Sequence, residues 1–153
     1  MARRFRIVVA LAAVVAALAA AAGVQAGTDR QLFRGEVERV PGSSLKMRTQ
    51  TTFSHLNVSL FLVRDFEADC GPYDLHFDRF ALVGVGDPIK IGERGRFHVR
   101  KDSGDQPYNL RGKIDGRRAK GVFRISTKYE EPGGQTRNCD SGRLDWSAHA
   151  SAS

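Results

Sequence analysis

The chain predicts an all-β protein: a single antiparallel β-sandwich or small β-barrel, mostly hairpin-connected, behind a signal peptide. Three observations lead there. Apolar residues alternate with polar ones at period two after residue 31, and no segment carries a helical stripe. Turn strings rich in Gly, Pro, Asp and Ser recur at short intervals. What remains of the 153 residues once a leader is removed suffices for one hydrophobic core and not for two.

The leader comes first. Arg3, Arg4 and Arg6 form a basic start, residues 7–22 form an Ala/Val-rich apolar core, and Val24-Gln25-Ala26 offers the small residues of a cleavage site. Residues 1–26 therefore read as a signal peptide and 27–153 as a single all-β domain. The apolar run of about 16 residues falls short of comfortable spanning length, so no stable transmembrane insertion is expected after cleavage. The paired arginines lack a twin-arginine pattern, and no cysteine follows for lipid attachment. The expected location is secreted or cell-envelope, outside the cytoplasm.

Strand candidates follow in order. Phe33, Gly35 and Val37 share one face, and Leu56, Val58, Leu60 and Leu62 share the buried face of a longer strand. Leu75 and Phe77 come next, then the apolar run 80–85. Ile89/Ile91 and Phe97/Val99 flank a turn at Gly92-Glu93-Arg94-Gly95. Leu144, Trp146 and Ala148 alternate with polar neighbours near the end, which assigns Trp146 to the core. A tight turn at Asp115-Gly116 makes partners whose numbers sum to 231: Gly112 faces Ala119, Leu110 faces Gly121, and Tyr108 faces Phe123. The other face of that hairpin pairs Lys113 with Arg118 and Arg111 with Lys120.

Two cysteines survive in the mature chain, Cys70 and Cys139. Outside the cytosol such a pair is most simply a disulfide; without a CxxC or a nearby His pair it is a poor zinc signal.

The hairpin string Gly112 to Phe123 has the form G-x-I-x-G-x-x-A-x-G-x-F, and Cys139 to Ala148 has the form C-x-S-G-x-x-x-W-x-A. With Phe33-Arg34-Gly35 as the opening, the chain resembles a family of small secreted bacterial all-β proteins of unknown function. The resemblance implies one β-domain and a Cys–Cys bridge, and it carries no activity with it.

Candidate chemistry is thin. Asp140-Ser141-Gly142 is similar to the run around the nucleophile of chymotrypsin-like proteases, but the chain is about half the size such a site requires. Asp and Ser accept local backbone bonds and Gly permits positive φ, so a turn is the expected reading. Asp74, His76 and Asp78 share a strand face, yet alternate residues lie nearly 7 Å apart, too far for three ligands on one ion. Asn57-Val58-Ser59 matches a glycosylation sequon by pattern alone. No catalytic residue, metal or cofactor is assigned.

Charge is the remaining signal. The whole chain carries +7, and loss of the three leader arginines leaves +4 (7 − 3). Residues 27–87 hold 7 basic and 9 acidic side chains, and 88–153 hold 14 and 8, so the halves are −2 and +6. Arg111, Lys113, Arg118, Lys120, Arg124 and Lys128 gather on one hairpin face as a candidate anion-binding surface. A solvated, aggregation-resistant face would account for the same residues. Few aromatics lie among them, so no nucleic acid is expected as partner; an anionic cell-envelope polymer is. The leading expectation is a non-catalytic binding or envelope-associated module. The alternatives are a lipocalin-like carrier of a small apolar ligand and, third, a small hydrolase. An unfilled apolar interior would favour the carrier and a filled core the module.

Overall fold

The structure is a computed structural model that describes residues 30–52, 55–83 and 88–151; the signal-peptide segment and residues 84–85 of the apolar run lie outside the described residues. Twelve strands are found among them. The first six are β1 (Arg30–Val37), β2 (Ser44–Thr52), β3 (His55–Arg64), β4 (Phe66–Asp69), β5 (Asp74–Phe77) and β6 (Phe80–Val83). The rest are β7 (Ile89–Lys90), β8 (Arg96–Lys101), β9 (Tyr108–Asp115), β10 (Arg118–Glu130), β11 (Thr136–Asp140) and β12 (Leu144–Ala150). A 3₁₀ turn, Glu93–Gly95, joins β7 to β8, where the sequence places a Gly-flanked turn.

All pairings are antiparallel and make one sheet. Its main path runs β8–β9–β10–β12–β1–β2–β3, and β6 and β7 share the far edge of β3. The two ends approach each other at the 3₁₀ turn, where Gly92 N–H donates to the Arg96 carbonyl at 2.8 Å. The sheet is curled and does not close into a barrel. The second half of β10 carries a branch of β11, β4 and β5.

Period-two patterning becomes a core because one face of this curl points inward. Phe33, Met47, Val58, Phe61, Val63, Phe66, Leu110, Phe123 and Ile125 are fully buried, and Trp146 nearly so. Phe61 on β3 reaches Phe123 on β10 (ring centroids 5.7 Å) and Trp146 on β12 (5.4 Å), and Phe80 meets Phe123 at 4.8 Å. These strands are not neighbours in the ladder, so the sheet has folded its apolar face onto itself and aromatic rings fill the interior. Each such ring or aliphatic chain contributes about 1.5–3 kcal/mol by leaving water. A smaller cluster under the branch holds Ala68, Cys70 and Cys139, with Leu75, Phe77 and Tyr129 against it. Cys70 and Cys139 form a disulfide (S–S 2.01 Å) that ties the end of β4 to β11.

Two sequence expectations are corrected. The β9–β10 partners sum to 233, not 231: Gly112 faces Gly121, Leu110 faces Phe123 and Tyr108 faces Ile125. The turn residues are Gly116-Arg117, with Gly116 at φ +57° and Arg117 outside the positive-φ set. Glycine thus takes the first central position, as in a type II′ turn, rather than the second, as an Asp-Gly type I′ turn requires. The shift is two residues, so each side chain keeps its face while every partner changes. The second correction is on β3. Between Arg48 and Thr49 the β2–β3 register slips, with Leu60 opposite Arg48 and Val58 opposite Thr49, which leaves Ser59 as the extra residue of a β-bulge. Beyond the bulge the parity inverts. Phe61 and Val63 point into the core, while Leu60 and Leu62 are half-buried on the outer face; before the bulge Val58 is buried as expected and Leu56, near the start of the strand, is exposed.

Candidate anion-binding face

Asp140-Ser141-Gly142 is a bulge between two strands that run along the same edge of β10. Phe123 faces Leu144 and Ser126 faces Asp140, so residues 141–143 stand opposite only two residues of β10. The interrupted ladder is repaired by side chains. Ser141 N–H donates to the Ile125 carbonyl at 2.9 Å, and Ile125 N–H donates to Ser141 Oγ at 3.0 Å. The hydroxyl in turn donates to the Gly142 carbonyl at 3.1 Å, and Gly142, at φ +63°, donates its N–H to Asp140 Oδ1 at 2.7 Å. Ser141 Oγ is engaged by backbone on both sides, which is a structural role.

Asp140 is the hub of this bulge. Arg124 binds its two oxygens with Nε and Nη2 (2.9–3.1 Å) and Ser126 Oγ donates to it at 2.7 Å. Burial pushes its carboxyl up, but Arg124, Ser126 and the Gly142 N–H outweigh burial and hold it below the usual carboxylate range. On the branch, Glu131 accepts from Tyr73 Oη and Arg137 Nε, and those bonds lower its carboxyl in the same way.

His76 has Asp78 at 3.5 Å and Asp65 at 3.9 Å, both from surface positions. Among the described residues no three His, Cys, Asp or Glu side chains are gathered as ligands for one ion. Asn57 of the sequon pattern is buried, 3% exposed.

The six basic hairpin residues divide. Arg111, Lys113, Arg118, Lys120 and Arg124 share the outer face of β9 and β10, all exposed, and Lys128 continues onto the branch opposite Asn138. The expected opposition of Lys113 to Arg118 and of Arg111 to Lys120 does not occur. Lys113 faces Lys120, Arg118 faces Asp115, and Arg111 faces Val122. Lys113 Nζ also lies 3.4 Å from Asp115 Oδ2, and Arg124 is committed to Asp140. Arg111, Arg118, Lys120 and Lys128 form no ion pair among the described residues.

The register adds basic residues that sequence reasoning missed. Arg96 on β8 faces Lys113, and His98 faces Arg111 and contacts Asn109 Oδ1 at 3.1 Å. A groove of about 840 Å³ opens here over the Gly112–Gly121 pair, lined by Lys90, Arg96, His98, Arg111, Lys113 and Lys120, with Glu38, Arg143 and Asp145 at one side. Asp145 is taken up by Arg143 (2.8 Å), whose bond keeps the Asp145 carboxyl low. Along the same face a second groove of about 730 Å³ runs past Arg118 and Lys120 to Ser147 and His149. The alternation on β8 (Arg96, His98, Arg100 against Phe97, Val99) was a visible signal for these residues; their partners across the sheet were not.

Under the first groove the two glycines carry no side chain and the core comes up tight beneath them. A Cβ on Gly121 would lie 2.0 Å from the Arg111 carbonyl oxygen and 2.6 Å from Trp146 Cζ2; one on Gly112 would lie 2.3 Å from Phe97 Cζ. Trp146 and Phe97 therefore pack close against the sheet backbone, and the outer surface above them is a floor edged by basic side chains.

Comparison with family models, with curated proteins and with solved structures finds no match to this chain. No helix among the described residues is long and apolar enough to cross a membrane.

Proposed function

We propose that this protein is an extracytoplasmic, non-catalytic binding module for an anionic cell-envelope polymer, of the kind of small secreted bacterial β-protein that its hairpin and terminal motifs resemble. The observation that carries the reading is the groove over Gly112 and Gly121, edged on three adjacent strands by Arg96, Arg111, Lys113 and Lys120. Cations placed opposite each other across a sheet destabilise it, and a bound anion offsets that repulsion. The disulfide is compatible with an oxidising compartment. The interior filled by Phe61, Phe80, Phe123 and Trp146 supports a surface-binding module over a carrier with an internal apolar ligand. Ser141, held by Ile125 and Gly142, supports a module over a hydrolase.

Retention on a sulfated-glycan resin tests the reading. The wild-type protein should be retained and should elute with rising salt, because exposed charges are screened over about 8–10 Å at physiological ionic strength. Replacing Arg111, Lys113, Arg118 and Lys120 together with Gln should abolish retention and change stability little, since relief of the Lys113–Lys120 opposition is set against the loss of Arg118 and Lys113 beside Asp115. Equal retention of both proteins would reduce the face to a solvated surface.

A further inference from the structure

Resting on that reading, we propose that the ligand lies across the strands rather than along the hairpin, and that it is a linear, non-aromatic polyanion of the acidic-polysaccharide class. The ladder sets basic residues directly opposite one another in two rows. In the first, Arg96 on β8 faces Lys113 on β9, which faces Lys120 on β10. In the second, Arg118 on β10 faces His149 on β12, which faces Arg34 on β1, which faces Lys46 on β2. Lys120 and Arg118 are alternate residues of one strand, so the second row starts nearly 7 Å from where the first ends. With about 4.8 Å between neighbouring strands, five inter-strand steps carry the track roughly 25 Å over the outer face.

Along this track all side chains are exposed except the half-buried Lys46. Among the described residues only Lys113 has an ion-pair partner, Asp115, which also faces Arg118. Of the other acids nearby, Glu36 is opposite Ser147, Glu38 lines one side of the first groove, and Asp145 belongs to Arg143. A single small anion would engage one pair of these groups and leave the Lys and Arg charges of the rest of the track uncompensated. A polymer with one anionic group per sugar presents charges at a spacing comparable to that between strands, and engages both rows. Among the described residues the large exposed hydrophobics, Leu56 and Tyr73, lie elsewhere, and the two aromatics under the groove, Phe97 and Trp146, are buried, so the track presents no exposed ring on which bases could stack.

Two surface double variants, Arg34→Gln/Lys46→Gln and Lys113→Gln/Lys120→Gln, separate this proposal from the reading it rests on. Their binding to heparin fragments of graded length would be measured by titration calorimetry, with thermal unfolding to verify the fold. The wild type should bind long fragments about tenfold or more tightly than a disaccharide, since the second row adds contacts without a second encounter. Arg34→Gln/Lys46→Gln should lose that length dependence and keep the weak disaccharide binding; Lys113→Gln/Lys120→Gln should weaken both. If only the hairpin variant loses affinity, binding on the hairpin stands and the cross-strand track is overturned. If neither variant changes, the function proposed above fails as well. Single-stranded DNA of equal charge that binds as tightly as the long glycan would overturn the ligand class.

Discussion

Ser141 occupies the point where β10 would otherwise lose a ladder bond, and its hydroxyl stands in for the missing carbonyl. Ile125 itself is fully buried, so an unpaired N–H there is poorly placed to recover water. Ser141→Ala should therefore destabilise by about 1–3 kcal/mol in urea unfolding. Gly142→Val should also destabilise, because a β-branched residue strains at φ +63°. Asp140 makes the bulge sensitive to acid. Its folded-state carboxyl is held below the ordinary range, so its contribution is complete above the unfolded value of about 3.9 and is lost as pH falls through the folded one. Asp140→Asn should accordingly be less stable than wild type near neutrality, with the gap closing below about pH 4. A gap independent of pH would mean that packing at the bulge, and not ionisation, sets the difference.

At the scale of elements, the Gly112–Gly121 pair distinguishes two kinds of crowding. The atoms nearest a Cβ on Gly112 belong to the Phe97 and Trp146 side chains, whereas a Cβ on Gly121 meets the Arg111 carbonyl first. Gly112→Ala and Gly121→Ala should each destabilise by about 1–3 kcal/mol or more through overpacking. Adding Phe97→Leu should relieve the first and leave the second unrelieved, so a double-mutant cycle should show coupling only for Gly112 with Phe97. Equal coupling in both cycles would place Phe97 over both glycines. The same hairpin shows what could be read in advance. Its two faces were legible because a register error of two residues preserves parity, and Leu110, Phe123 and Trp146 fell inside as their alternation requires. The bulge at Ser59 was not legible: it needs no special residue, yet it turns Leu60 and Leu62 outward and brings Phe61 and Val63 in. The candidate site divides likewise. Arg111, Lys113, Arg118 and Lys120 are neighbours in one hairpin and could be grouped from sequence, whereas Arg34, Lys46, Arg96 and His149 join them only through pairings between distant segments.

The molecule as a whole is held unevenly. The main path of the sheet rests on continuous ladders, six residue pairs between β1 and β2 and six between β10 and β12. The branch narrows: β11 pairs with β10 over five residues, but β4 joins β11 through one pair, Asp69 with Asp140. What fastens it is Phe66, packed between Phe77 (4.9 Å) and Phe123 (5.9 Å), and the Cys70–Cys139 disulfide, which spans 69 residues. In the chain-entropy description a loop of that size stabilises by up to about 4 kcal/mol, chiefly by restricting the unfolded chain. Removing the bridge should therefore lower global stability while the folded core stays in place, and within the folded state the branch should open first. The expected result for Cys70→Ala/Cys139→Ala is a urea midpoint well below wild type. Hydrogen exchange should show faster exchange at Phe66–Asp69 and Asp74–Phe77 than the global loss accounts for, with β1, β2 and β12 following the global value. Uniform acceleration across every strand would show instead that the branch and the main sheet unfold as one unit.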